Sequence, residues 1–90
     1  MNKERRKSLA EALELIESAK TVLEQAKEII EQAKTEEEEY KDNMPENMQA
    51  SDKYSKAETA VESLENAMDG IDSIISSCDD LATDIETASE

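Results

Sequence analysis

The chain has 90 residues, of which 24 are acidic and ten are basic, and its formal net charge is −14 at pH 7. It has no histidine, tryptophan or phenylalanine, and only one glycine, one proline and one cysteine. Its length allows one domain, and the missing histidine removes the usual general base, the Ser-His-Asp triad and most zinc sites. The single glycine excludes a phosphate-binding loop. We therefore expect no enzyme activity, no cofactor and no metal site.

The sequence also predicts where the chain resides. Cys78 is the only cysteine, so no internal disulfide forms and nothing indicates an oxidising compartment. The basic start of the chain is followed by an amphipathic segment that carries Glu11, Glu14 and Glu17, which is not typical of a signal peptide. No apolar run approaches the roughly 20 residues of a membrane span. We expect a soluble cytoplasmic protein without membrane contacts.

Apolar residues in the first half of the chain recur every seven residues, in three neighbouring rows, as in an amphipathic or coiled-coil helix. This pattern predicts a helix over about 4–41. The rows are Leu9, Ile16, Leu23 and Ile30; Ala12, Ala19, Ala26, Ala33 and Tyr40; and Leu15, Val22 and Ile29.

Residues 42–51 are predicted to connect two helices. Pro45 disfavours the helical conformation for Met44, so the first helix should end by about Asp42. Asn43 and Glu46 have capping-box spacing, which predicts a short helical turn, and Ser51 is a good N-cap for the next helix.

The second half repeats the seven-residue pattern and predicts a helix over about 52–88. Gly70 lies beside the apolar stripe, either because another helix approaches closely or as a tolerated defect. The rows are Ala57, Leu64, Ile71, Cys78 and Ile85; Ala60, Ala67, Ile74, Leu81 and Ala88; and Val61, Met68 and Ile75.

The predicted fold is all-α, a hairpin of two long antiparallel amphipathic helices. Each helix carries charges that are unfavourable for its own dipole, and antiparallel pairing compensates them. Arg5, Arg6 and Lys7 would lie beside the acidic end of the second helix, and Lys53 and Lys56 beside the run Glu36 to Glu39. That run is interpreted as a solvated helix face, with binding of a cation or a basic partner as the alternative.

A stripe three rows wide exceeds what one neighbouring helix covers. The outer rows, Leu15 to Ile29 and Val61 to Ile75, should therefore stay uncovered within the hairpin. Two helices also supply a thin core for a domain of this size. We expect a homo-oligomer, such as a four-helix bundle, or a larger partner protein that covers the same face.

The connection contains the first candidate binding site, Tyr40, Met44, Met48 and Tyr54, which include the only aromatic residues of the chain. Methionines and tyrosines are typical of partner-binding surfaces. The preferred interpretation is a plug that closes the open end of the apolar stripe. Cys78 is likewise interpreted as a small core residue rather than a nucleophile, because it belongs to an apolar row.

The second candidate site is the acidic second helix. Residues 57–90 contain ten acidic side chains and no lysine or arginine. Carboxylates along a rigid helix can imitate DNA phosphates and occupy the cleft of a nucleic-acid-binding host protein, without any direct binding of nucleic acid. The alternative is that the charge only keeps a helical bundle in solution. The residues chosen for the mimic are Asp72, Asp79, Asp80 and Asp84.

The segment Tyr40 to Gln49 with Ser51, followed by Tyr54, Ala57, Glu58, Ala60 and Leu64, resembles small acidic proteins encoded by phages and prophages of Gram-positive bacteria. The resemblance is specific over residues 40–67. It implies a bacterial host cytoplasm and a phage origin, where small binding proteins often block host enzymes or defence systems. It implies no catalytic or ligand residues.

The sequence thus favours a non-catalytic protein-binding module, which would be an accessory or anti-defence protein of a phage. A more specific version of this hypothesis is that the protein mimics DNA. The alternative is a structural or assembly protein of the phage.

Overall fold

The computed structural model describes residues 1–90 and confirms an all-helical hairpin whose two helices pack against each other. Helix α1 spans Lys3–Asp42 and helix α2 spans Asp52–Ala88, with a 3₁₀ turn at Glu46–Met48 between them. The expected ranges were 4–41 and 52–88. Asn2 caps α1, since its Oδ1 accepts a hydrogen bond from the Arg5 backbone N–H at 2.8 Å.

The connection ends one helix and starts the next through backbone and side-chain bonds. The Asn43 N–H donates to the Glu39 carbonyl at 3.0 Å, and the 3₁₀ turn closes where the Met48 N–H donates to the Pro45 carbonyl at 2.9 Å. Ser51 caps α2 as expected, because its Oγ accepts from the Tyr54 N–H at 3.3 Å.

The prediction of a capping box formed by Asn43 and Glu46 at the 3₁₀ turn is wrong. Pro45, not Asn43, is the N-cap, and no side chain bonds to the start of that turn. Pro45 has ψ 152°, so the chain is extended at this residue. An Asn43 side chain two residues before the cap residue is therefore not in the position that a capping box needs.

The chain divides into two compact units, each with part of both helices. The terminal unit comprises residues 1–25 and 71–90, and the turn unit comprises residues 26–70. Only Met44, Ala57 and Cys78 are buried, at 8%, 1% and 9% exposure, so neither unit has a large enclosed core.

Within the terminal unit, a partly buried seam joins the two helices around Cys78. Its central row on α1 is Leu9, Ile16 and Leu23, and its central row on α2 is Ile71, Cys78 and Ile85, both as expected. Beside each central row lies a second partly buried row: Leu13 and Lys20 on α1, and Ile75 and Ala82 on α2.

The seam of the turn unit has the same construction. Ile30 and Leu64 continue the central rows, and Ala57 and Met44 are its buried side chains. The partly buried second rows are Lys27, Lys34 and Lys41 on α1, and Tyr54, Val61 and Met68 on α2.

One of the two rows expected to stay uncovered is indeed uncovered, and the other is not. Leu15, Val22 and Ile29 are 71%, 62% and 71% exposed. Val61, Met68 and Ile75 are partly buried instead, and Ile74 and Leu81, at 51% and 52%, are the exposed large residues of α2. Turning the row of Val61, Met68 and Ile75 into the seam, rather than the row with Ala60 and Ala67, buries more apolar surface in the turn unit.

Candidate interaction surfaces

In the terminal unit, the Lys20 ammonium identifies one side of the hairpin. Its Nζ lies 3.0 Å from Oδ1 of Asp79 on α2. The hydrogen bond and charge of Asp79, followed by the charges of Glu17 and Glu24, raise the pKa of Lys20 above its ordinary value of 10.5. Glu17, Glu24 and Asp79 each directly follow a residue of a central row, so these equivalent positions of the two helices lie on one side. We call this the acidic side.

The opposite side of the terminal unit is apolar. Two antiparallel helices are related by an approximate twofold axis perpendicular to their common plane, so equivalent flanks of the two helices share a side. Residues three after, or one before, a central row occupy the flank away from Lys20. We call this the apolar side, and its residues are Ala12, Leu15, Ala19 and Val22 on α1 and Ile74, Ser77, Leu81 and Ala88 on α2.

The chain ends of the terminal unit meet through Arg6. Its Nε donates to the Ser89 carbonyl at 3.0 Å, and its second guanidinium nitrogen donates to the Glu90 carbonyl at 3.2 Å. The predicted basic start therefore does lie beside the end of α2, but Arg6 donates to the backbone oxygens of the two residues that follow the helix rather than to acidic side chains.

In the turn unit, two members of the run Glu36 to Glu39 bond within their own helix. Gln32 Nε2 donates to Glu36 Oε1 at 3.1 Å, and Lys34 Nζ lies 3.5 Å from Glu38 Oε1. We expected Lys53 and Lys56 to face this run, but the ion pair is made by Lys34 of α1. Spacing of four residues along one helix favours such local pairs.

The four candidate residues of the connection divide into inward and outward side chains. Met44 is buried and Tyr54 is partly buried, as expected of side chains that close the apolar stripe. Tyr40 is 49% exposed and Met48 is 36% exposed. Tyr40 and Met48 therefore offer more of their surface to a partner than Met44 and Tyr54 do.

The four candidate aspartates of α2 do not form one row. Asp72 and Asp79 are seven residues apart and share the acidic side, but Asp80 lies about 100° and Asp84 about 140° around the helix from Asp79. Asp79 is also paired with Lys20. A single phosphate-like array on one face of α2 is therefore not formed by these four carboxylates.

The structure explains Cys78 but gives no packing reason for Gly70. Cys78 is 9% exposed in the central row of the seam, in agreement with its interpretation as a small core residue. A methyl group at Gly70 would meet nothing within 4 Å, so no helix of this chain approaches it closely.

Sequence reasoning missed the row of lysines on α1. Lys20, Lys27, Lys34 and Lys41 are spaced by seven residues and all are partly buried. Their long stems cover apolar surface while the ammonium groups reach carboxylates. The signal was present, because this row lies next to the predicted central row at the same seven-residue spacing.

Comparison with known proteins identifies no relative: no family model, curated protein or solved structure matches the chain. Neither helix contains a stretch long and apolar enough to cross a membrane. No group of three or more acidic or cysteine side chains is arranged to hold a metal ion. A shallow groove lies on α1 alone, lined by Glu14, Glu17, Ser18, Thr21 and Val22.

Proposed function

We propose that this protein is a non-catalytic binding module that acts by stoichiometric contact with another protein and also associates with itself. The separation of an acidic side from an apolar side supports this proposal most strongly. Exposed apolar patches and fields of one sign are both features of interaction surfaces. With two different surfaces, the chain can meet a copy of itself and a second partner at once.

The second partner is a protein with a basic surface, such as a nucleic-acid-binding protein of the host. Residues 57–90 carry ten acidic side chains and no basic ones, which favours fast, charge-steered association with such a surface. In a more specific version of this proposal, the protein mimics DNA. The carboxylates that support this form are those of both helices on the acidic side, including Glu17, Glu24 and Asp72, rather than the four aspartates of α2 alone.

From the resemblance over residues 40–67, we propose that the protein acts in a bacterial cytoplasm as a phage accessory or anti-defence protein. The alternative is a structural or assembly role in the phage, in which the same apolar side joins copies into a helical bundle. The apolar side with its bulky exposed residues is equally favourable for both roles. Binding through the acidic side must therefore distinguish the accessory or anti-defence role from the structural one.

A pull-down from host lysate with mass spectrometry tests the proposal. The wild-type chain should enrich one nucleic-acid-binding or defence protein, and raised salt should release it, because screening weakens exposed charge contacts. A bait with Glu17, Glu24 and Asp72 changed to the amides should lose that protein. Enrichment of phage particle proteins only, equal for both baits, would support the structural alternative instead.

A further inference from the structure

We infer that the apolar side of the terminal unit binds a second copy of this chain in a twofold dimer. The contact buries Leu15 and Val22 of α1 with Ile74 and Leu81 of α2, and it leaves the acidic side open. This inference rests on the self-association in the proposed function and adds the surface through which the copies meet.

The chain leaves more surface uncovered than a compact monomer of its mass does. The chain exposes 6714 Å², whereas a compact monomer of 10.0 kDa exposes about 5,200 Å². The excess of roughly 1,500 Å² exceeds the 800 Å² or so that each partner contributes to a standard interface. The four large side chains of the apolar side are each more than half exposed, so they can contribute apolar area to such an interface.

The charge distribution on the apolar side favours a copy of the chain over other partners. Between Ala12 and Val22 the apolar side of α1 carries no charge, and neither does that of α2 between Ile74 and Leu81. Two chains of net charge −14 repel each other at most orientations, and contact through these uncharged stretches reduces that repulsion. A strongly basic or acidic partner would find no counter-charge along these two stretches.

Charges at the end of the apolar side do not oppose this contact. Arg5 continues the row of Ala12 and Ala19, and Asp84 continues the row of Ser77. Because both signs are present, two copies do not meet with like charges alone at this end.

The shape of the apolar side also suits contact with a copy of itself. Large and small residues alternate along both helices, with Leu15 and Val22 between alanines and Ile74 and Leu81 on either side of Ser77. Such alternation lets the projecting residues of one surface enter the gaps of an identical one. A twofold contact requires this self-complementarity, because each patch must fit its own copy.

Sedimentation equilibrium at micromolar concentrations tests the inference on the full chain. The wild type should have twice the mass of the 10.0 kDa chain. Changing Val22→Glu with Leu81→Glu should give a monomer. The matched control, Thr21→Glu with Thr83→Glu, adds the same charge one or two residues away, on the outward face of each helix about 140° from its central row, and should remain a dimer. Both threonines bond only to a carbonyl four residues earlier, so the control removes no contact between the helices.

Circular dichroism shows whether each variant remains helical. If the glutamate variant unfolds, the milder Val22→Ala with Leu81→Ala variant decides, and its dimer dissociation constant should rise about a hundredfold or more. A wild type that is monomeric throughout overturns self-association, and with it this inference. A wild-type dimer that persists in the glutamate variant, or is unaffected in the alanine variant, overturns the assigned surface while self-association stands. Loss of protein capture from lysate bears only on the second partner.

Discussion

Lys20 of α1 lies 3.0 Å from Asp79 of α2, and this ion pair joins the helices on the acidic side of the terminal unit. The lysine side chain is 26% exposed and the aspartate is 62% exposed. A cation at the edge of the seam therefore offsets part of the repulsion between Asp79 and the glutamates of α1. The pairing also fixes which side of the hairpin is acidic and which is apolar.

The raised pKa of Lys20 predicts a stability effect at high pH. A raised folded pKa means that the stabilisation is fully present below the ordinary value of 10.5 and is lost as the pH rises through the folded value. Asp79→Asn should therefore lower the melting temperature at neutral pH, and its difference from wild type should shrink above the raised pKa. Thermal unfolding is followed by circular dichroism at neutral pH and again at a pH above the raised pKa of Lys20. The difference in melting temperature between Asp79→Asn and wild type is measured at each pH.

Asp80→Asn provides the control for this experiment, because it removes the same charge from the neighbouring position outside the pair. Its difference from wild type should not depend on the titration of Lys20. An Asp79→Asn difference that stays constant as the pH rises would show that the ion pair does not stabilise the fold.

Acid should leave the helices intact. The chain carries 24 acidic residues against ten basic ones, so protonating carboxylates near pH 4 relieves repulsion. We expect the far-UV helical signal to hold or increase between about pH 6 and pH 4. A cooperative loss of that signal would mean that most carboxylates are paired in the folded state and contribute to its stability.

Met44 and Met48 should differ in their contribution to stability. Met44 is 8% exposed, so Met44→Ser should lower the free energy of unfolding by about 2 kcal/mol. Met48 is 36% exposed, and Met48→Ser should change it by less than about 0.5 kcal/mol. Urea unfolding at one fixed protein concentration measures both changes. Equal losses of unfolding free energy in the two variants would contradict the assignment of Met44 to the buried plug and of Met48 to the exposed surface.

The sequence was sufficient to predict the hairpin, because seven-residue rows and a single proline leave few other arrangements. The Ser51 cap and the partly buried rows of Ile16 and Leu64 follow from local chemistry and periodicity alone. The choice of outer row did not follow. With three apolar rows on each helix, a central row can pair with either neighbour, and only packing decides that Ile75 turns inward and Ile74 outward.

The candidate site was predictable in its chemistry but not in its geometry. An excess of carboxylates on α2 can be read from the sequence, but counting them does not assign them to sides. The assignment came from Lys20, which lies in a row that apolar periodicity does not reveal. Likewise, the sequence offers Met44 and Met48 as an equivalent pair, and only the path of the chain after Pro45 separates them.

The central claim is that the acidic side binds a basic protein surface, and calorimetry with a captured partner tests it most directly. Changing Glu17, Glu24 and Asp72 to the amides should weaken binding at least about tenfold at low salt and flatten its salt dependence, since charge contacts dominate. Changing the exposed Tyr40 and Met48 to serine should have little effect. The opposite result, with unchanged affinity for the amide variant and loss for the serine variant, would contradict the account and assign binding to the connection.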